Sequence, residues 1–238
     1  MSAESSFYQM LNELLKKFEI NFKPDSLFFY YSFKKNKSVS SIDKFIIYED
    51  WWINKPEIVK SKVKSILGIS EKIQGRKCRI LKITKPVADT FLNENHIYGT
   101  TNSKIKYGLF FGNELFAVAT FAGQRQFKDE RSVELLRFCT KNGFSVAGGL
   151  DKLLKQYIKD HKPDSLMTYI DIDWGKGNSF AKLGFETIKI MPPVYFLIDK
   201  IHHIRISHRN FDDFKNIENY YNIENRGSIK MIKNINYE

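Results

Sequence analysis

The chain has 238 residues, 42% of them hydrophobic and 27% charged, which is enough apolar side chain for one good core or two small ones and too much for a disordered chain. Its 38 Lys and Arg against 27 Asp and Glu leave a formal charge of +11, a balance that favours a polyanionic partner such as nucleic acid. No apolar run approaches the roughly 18 residues of a membrane span and the N-terminus has no signal-peptide core, so a cytoplasmic protein without a membrane partner is expected.

In chain order, Ser5-Ser6 reads as the cap of a helix carrying Phe7, Leu11, Leu14, Leu15 and Phe18 at helical spacing. The aromatic run Leu27 to Tyr31 reads as a buried strand, because no charge interleaves it; the basic segment Lys34 to Ser41 follows, and then a strand, Lys44 to Tyr48. Cys78 and Cys139 have neither CxxC spacing nor a neighbouring His, which argues against a disulfide scaffold or structural zinc. Tyr107 to Phe111, a Gly112-Asn113 turn and Glu114 to Phe121 have the two-residue loop and flanking β formers of a hairpin.

Residues 134 to 185 organise the remainder. Glu134 to Cys139 is a strand-type run, and Gly148-Gly149 opens a helix with Leu150, Leu153, Leu154, Tyr157 and Ile158 on one face and Lys152, Lys155 and Lys159 on the other. Lys162-Pro163-Asp164 stops that helix before a second strand, Ser165 to Asp171, completing a βαβ pattern. Gly175-Lys176-Gly177 then leads through Asn178, read as an N-cap, into a short helix that ends at Leu183-Gly184-Phe185.

This order, with its glycine turn and its Asn-x-x-Ala-x-Leu-Gly-Phe stretch, resembles the core of the GNAT-type N-acyltransferases. The resemblance implies an α/β fold, a mixed sheet with flanking helices, and an acyl-coenzyme A whose pyrophosphate meets Ala147, Gly148 and Gly149, with Asn178 nearby. Helix N-terminal amides bind anions, but the same glycines also serve as a close-packed turn and a helix stop. The family's turn runs Arg or Gln, two residues, Gly, one residue, Gly or Ala. Here Phe144 and Ala147 stand at its first two fixed positions, and Phe180 stands where the family has a proton-donating Tyr.

A second resemblance is to phage-type homing endonucleases. Ile46 to Trp52, Glu57 to Val63 and Ile66-Leu67-Gly68 are similar to the end of their Vsr-like nuclease domain. The later words, from Phe91-Leu92-Asn93-Glu94-Asn95-His96 to Pro193 and Tyr195, are similar to the domain that follows it. It implies a degenerate, small α+β nuclease remnant over 1–70, a GNAT-like domain over 71–200 and a basic extension with a hairpin over 201–238. The carboxylates of the shortened nuclease interval are Glu19, Asp25 and Asp43, and no His precedes His96, so neither nuclease activity nor a metal site is expected. The resemblance extends to Mom-like DNA modification enzymes of phage, implying transfer to a base amine of DNA in a bacterial or phage-infected cell.

Glu134 and Asp171, near the ends of neighbouring strands, are the candidate bases. For Glu134 and Arg137 a surface ion pair is the alternative. Arg125, Arg137, Lys152 and Lys155 are the candidate contacts to DNA phosphates. His96 is read as a hydrogen-bonded structural residue and Asp173 as a poor neighbour for phosphate. A non-catalytic DNA-binding module, or another derivative of a homing endonuclease, remains the alternative to the acyltransferase.

Overall fold

The computed structural model describes residues 2–21, 23–33, 44–127, 130–207 and 217–237. The Lys34 to Ser41 run, Asp43 and the side chain of Asp25 lie outside that description. The first half contains helix α1 (Ala3–Lys17), the turn α2 (Pro24–Leu27), strands β1 (Phe28–Tyr31) and β2 (Phe45–Tyr48), and helices α3 (Glu49–Asn54) and α4 (Pro56–Ile66). Next come β3 (Glu71–Gln74), β4 (Arg79–Lys82), α5 (Lys85–Asn95), β5 (Ile105–Phe111), β6 (Glu114–Phe121), β7 (Arg125–Phe127), β8 (Glu130–Thr140) and β9 (Phe144–Ala147). The chain closes with α6 (Gly149–His161), β10 (Ser165–Asp171), α7 (Asn178–Ala181), β11 (Glu186–Met191), β12 (Tyr195–Asp199), β13 (Arg205–Ser207), β14 (Tyr220–Glu224) and β15 (Ser228–Asn234). These form two compact units, one from 1–59, 171–176 and 190–228, the other from 60–170, 177–189 and 229–238.

The second unit is α/β, with a mixed sheet in the order β11-β15-β10-β8-β6-β5-β4 and β7 added against β8. β4, β5, β6 and β8 are antiparallel neighbours, whereas β8 and β10 run parallel across α6. Gly112, at φ +60°, supplies the turn of the expected β5–β6 hairpin. The apolar stripe of α6 is the one its spacing predicts: Leu150, Leu153, Leu154 and Tyr157 are buried against Leu109, Ala119, Phe121 and Leu135. Four buried side chains of this size contribute several kcal/mol of apolar burial, at about 1.5–3 kcal/mol for each one fully buried.

One irregularity decides which side chains share a face. Thr120 pairs with Arg137 and Phe121 with Leu135, so Leu136 is an extra residue bulged out of β8. Without it, strict alternation would put Glu134 with Leu136 and Phe138. With it, Leu135 and Phe138 both face α6, and Cys139 packs on the opposite face with Val118 under Ala88, Phe91 and Leu92 of α5. Glu134, Arg137 and Thr120 lie on that opposite face.

The first unit packs α1 onto the parallel pair β1–β2, with the Phe7 ring against Phe28, Tyr30 and Trp52. It also holds the antiparallel sheet β13-β12-β14.

Three local expectations need correction. The cap of α1 is Ser2, whose extended backbone lets its hydroxyl accept from Ser5 N at 3.1 Å; Ser5 and Ser6 are already helical. The cap of α7 is Gly177, not Asn178, because the position is left-handed at φ +78° and a Cβ there would lie 2.9 Å from the Met231 sulfur. The C-terminal strands do not form a hairpin: β14 pairs with β12, while β15 enters the large sheet between β11 and β10. Gly227 between them sits at φ +86°, where a Cβ would fall 2.1 Å from the Met191 carbonyl oxygen.

Candidate active site

Glu134 is half-buried on β8, and its carboxylate makes no hydrogen bond or ion pair among the described residues. Burial raises its pKa above the ordinary value, partly opposed by the charges of Arg125, Arg137 and Lys230. The anticipated ion pair with Arg137 is not formed. Arg137 instead donates from Nε to Gly99 O at 3.2 Å and from Nη1 to Leu136 O at 2.9 Å. A guanidinium has five N–H donors, so the bulge carbonyl and the loop carbonyl fix the plane of the group and leave Nη2 without an acceptor among the described residues.

The loop that supplies Gly99 is itself braced. Asn93 Oδ1 accepts from Thr100 N at 3.0 Å, Asp89 Oδ1 accepts from the Thr100 hydroxyl at 2.5 Å, and Gly99 takes φ +63°. His96 belongs to this bracing, its Nδ1 accepting from Tyr98 N at 3.2 Å, in keeping with its structural reading.

Arg125 stands across β7–β8 from Ser132, and Ser132 meets the Ser165 hydroxyl at 3.0 Å. Residues two apart share a strand face, so Arg125 is the diagonal neighbour of Glu134 on its own side. Arg125 is exposed and makes no ion pair among the described residues. Thr120, opposite Arg137, is fully buried with its hydroxyl unpartnered. Sequence reading missed Thr120 and Lys230. A hydroxyl in the run Ala117-Val118-Ala119-Thr120-Phe121 is a visible exception, but nothing local shows that it sits beside Glu134.

On the side of the expected cofactor, Gly148 takes φ +71° at the start of α6, and a Cβ there would meet nothing within 4 Å. The first intrahelical bond runs from Lys152 N to Gly148 O, so the amides of Gly149, Leu150 and Asp151 have no partner within the helix. Gly149 has a packing role: a Cβ would lie 2.9 Å from Val146 Cγ1 and 3.1 Å from Leu109 Cδ1. Gly75 forms the facing wall, since its Cβ would come 2.7 Å from Ala147 O and 3.1 Å from Gly149 N. Ala147 ends β9, which pairs in parallel with β3.

Lys152 is committed elsewhere than a phosphate backbone. Its ammonium donates to Gly75 O at 3.1 Å and Cys78 O at 2.5 Å, tying α6 to the turn after β3. Lys155 is exposed and pairs with Asp151 at 2.7 Å. Phe144 packs edge-on to Phe116, and Phe180 edge-on to Phe185, so both departures from the family pattern are apolar packing residues.

β8 and β10 pair only from Ser132/Ser165 to Leu135/Thr168, although β8 continues to Thr140 and β10 to Asp171. Thr168 Oγ1 closes the paired part by donating to Leu135 O at 3.1 Å. Asp171 belongs to the other compact unit, where its Oδ1 accepts from Asp173 N at 2.9 Å. Asp173 is wholly buried and paired with Arg226 at 2.7 Å. Among the described residues no group of three or more His, Cys, Asp and Glu could hold a metal ion, and no helix is long and apolar enough to cross a membrane.

No protein-family model and no curated protein matches the chain. Among solved structures it is similar to a Bacillus subtilis acetyltransferase in complex with CoA, at 17% identity and a TM-score of 0.44 over 67% of this chain and 100% of that one. It is also similar to a GNAT family acetyltransferase from Elizabethkingia anophelis with acetyl-CoA bound, at 15% identity and 0.39 over 67% and 99% of the two chains. The ribosomal-protein-S18-alanine N-acetyltransferase of Escherichia coli gives 12% and 0.41 over 68% and 96%.

Proposed function

We propose that the second unit is a GNAT-like N-acyltransferase domain that accepts an acyl-coenzyme A and passes the acyl group to a primary amine. The observation that carries the reading is Glu134, a half-buried carboxylate with a raised pKa that makes no hydrogen bond or ion pair among the described residues. Such a group, beside a guanidinium fixed by two backbone carbonyls, is a base held ready rather than a structural pair. The residues around α6 fit a cofactor phosphate: the space at Gly148 is open, and three first-turn amides have no partner within the helix. The cofactor supplies an activated acyl thioester. Glu134 takes the proton released as the amine nitrogen forms the new C–N bond, and Arg137 orients the acceptor. Phe180 has no proton to give, so the departing thiolate is not protonated from that position.

The finer reading, transfer to a base amine of DNA by a phage or mobile-element protein, draws on the net charge of +11 and the exposed Arg125. A non-catalytic DNA-binding module is favoured instead by the partial burial of Phe144 and Phe180 in apolar contacts. The two separate on acetyl-CoA. Gly149→Asp would disturb packing, so the informative pair is Gly148→Asn and Gly148→Asp, which carry the same backbone strain and differ in charge. Wild type should be thermally stabilised by millimolar acetyl-CoA, Gly148→Asn less so and Gly148→Asp least. Glu134→Gln should slow acetyl transfer by about 10²- to 10⁴-fold. A wild-type melting temperature indifferent to acetyl-CoA would remove the acyltransferase.

A further inference from the structure

We infer that the acceptor amine carries an anionic group, phosphate or carboxylate, held by Arg125 and Arg137 on either side of Glu134. This deepens the acyltransferase reading and rests on it. An amine drawn only by a carboxylate base would be best served by an acidic pocket, yet the charges acting on Glu134 are those of three cations, Arg125, Arg137 and Lys230. No carboxylate among the described residues forms an ion pair with these cations. Arg137 spends Nε and Nη1 on carbonyl oxygens, while Nη2 is left without an acceptor among the described residues.

Placement follows from register. Arg125 opposes Ser132, two residues before Glu134, and Arg137 comes three residues after it, past Leu135 and the bulged Leu136, on the same face. Two strand steps are about 7 Å, so an amine at Glu134 has a guanidinium-bearing position on each side within the length of a small bifunctional molecule. Guanidinium groups bind carboxylate and phosphate oxygens through paired, charge-assisted N–H bonds. Thr120, paired with Arg137 across β6–β8, has a buried hydroxyl without an acceptor. An oxyanion at Arg137 would place acceptor oxygens on that side of the sheet.

The test uses the full chain and three matched amines: ethanolamine, O-phosphoethanolamine and β-alanine. Calorimetric binding and acetyl transfer from acetyl-CoA are measured for wild type and Arg125→Gln, an exposed position where folding is not at stake. At least one anionic amine should bind about tenfold or more tightly than ethanolamine, as expected for one charge-assisted contact, and lose most of that advantage in Arg125→Gln. A preference for O-phosphoethanolamine identifies phosphate, and a preference for β-alanine identifies carboxylate. Equal binding of all three, failure of both anionic amines to bind, or an advantage untouched by Arg125→Gln would overturn the inference. Acetyl-CoA stabilisation is read separately in the Gly148 pair, so transfer to ethanolamine alone sinks the anionic acceptor without sinking the acyltransferase.

Discussion

Asp50 in the first unit accepts two hydrogen bonds from the Arg205 guanidinium, at 2.8 and 2.9 Å, whereas the Glu134 carboxylate in the second accepts none among the described residues. The Asp50 side chain is 3% exposed and that of Arg205 is 10%. The guanidinium also lies over the rings of Trp51, Tyr48 and Phe196, at 4.3, 4.5 and 5.0 Å. Asp173 is treated likewise, accepting from Arg226 Nε at 2.7 Å and from the Tyr48 hydroxyl at 3.0 Å, while Arg226 Nη2 reaches the carbonyls of Lys44 and Ile172. Burial first, and Asp173 second, push the Tyr48 phenol far above its ordinary pKa. The first unit thus answers desolvation with charge, hydrogen bonds and ring faces together, while on β8 the desolvated Glu134 carboxylate has no hydrogen bond or ion pair among the described residues. On the acyltransferase reading proposed above, this difference separates charges paired within the fold from a charge kept for a ligand.

The largest effect that tests this difference is at Asp50. Asp50→Asn removes one partner of a buried pair and strands Arg205, with an expected loss of about 3–5 kcal/mol in denaturant unfolding. Asp50→Met with Arg205→Met, which removes both charges, should cost much less than the sum of the two single changes. Additive losses would mean that the pair is not coupled and would erase the contrast.

Thr120→Val probes the open face from the other side. Its hydroxyl is buried and unpartnered, so a side chain of the same shape without the oxygen removes a desolvation cost. The expected gain is on the order of 1 kcal/mol. A loss of similar size would show that the hydroxyl has a partner, and the β8 face would then look more like the first unit.

Much of this architecture is legible in the residues, and the limit is physical. The β5–β6 hairpin, the α6 stripe and the β10 strand announce themselves through local signals: turn residues, helical spacing, a helix stop at Lys162-Pro163-Asp164. The Leu136 bulge has no such signal, because an extra residue in a strand is defined by its partner strand. Strict alternation therefore names Glu134 and Arg137 without putting them on one face. Lys152 illustrates the same limit. Its place opposite the apolar stripe is correct, but its acceptors, Gly75 and Cys78, lie more than 70 residues earlier in the chain. The composition of the first unit from three separate segments is likewise tertiary, since no local pattern reports where a chain returns.

The smallest expected effect is also the most direct on Glu134. Its folded pKa lies above the ordinary 4.5 because burial disfavours the charged carboxylate. Between the unfolded and folded values the native state holds the proton that the unfolded chain has released, so protons bind more strongly to the native state. Stability contributed by this group is then fully present below the unfolded value and is lost as pH rises through the folded one. Gln cannot ionise. Urea unfolding of wild type and Glu134→Gln should show the two closest near pH 4, with the variant becoming relatively more stable as pH rises above 4.5 and the difference levelling once Glu134 is ionised. A wild type that instead gains on the variant with rising pH would mean that the ionised carboxylate is bound by a guanidinium, placing Glu134 with Asp50 among the paired charges.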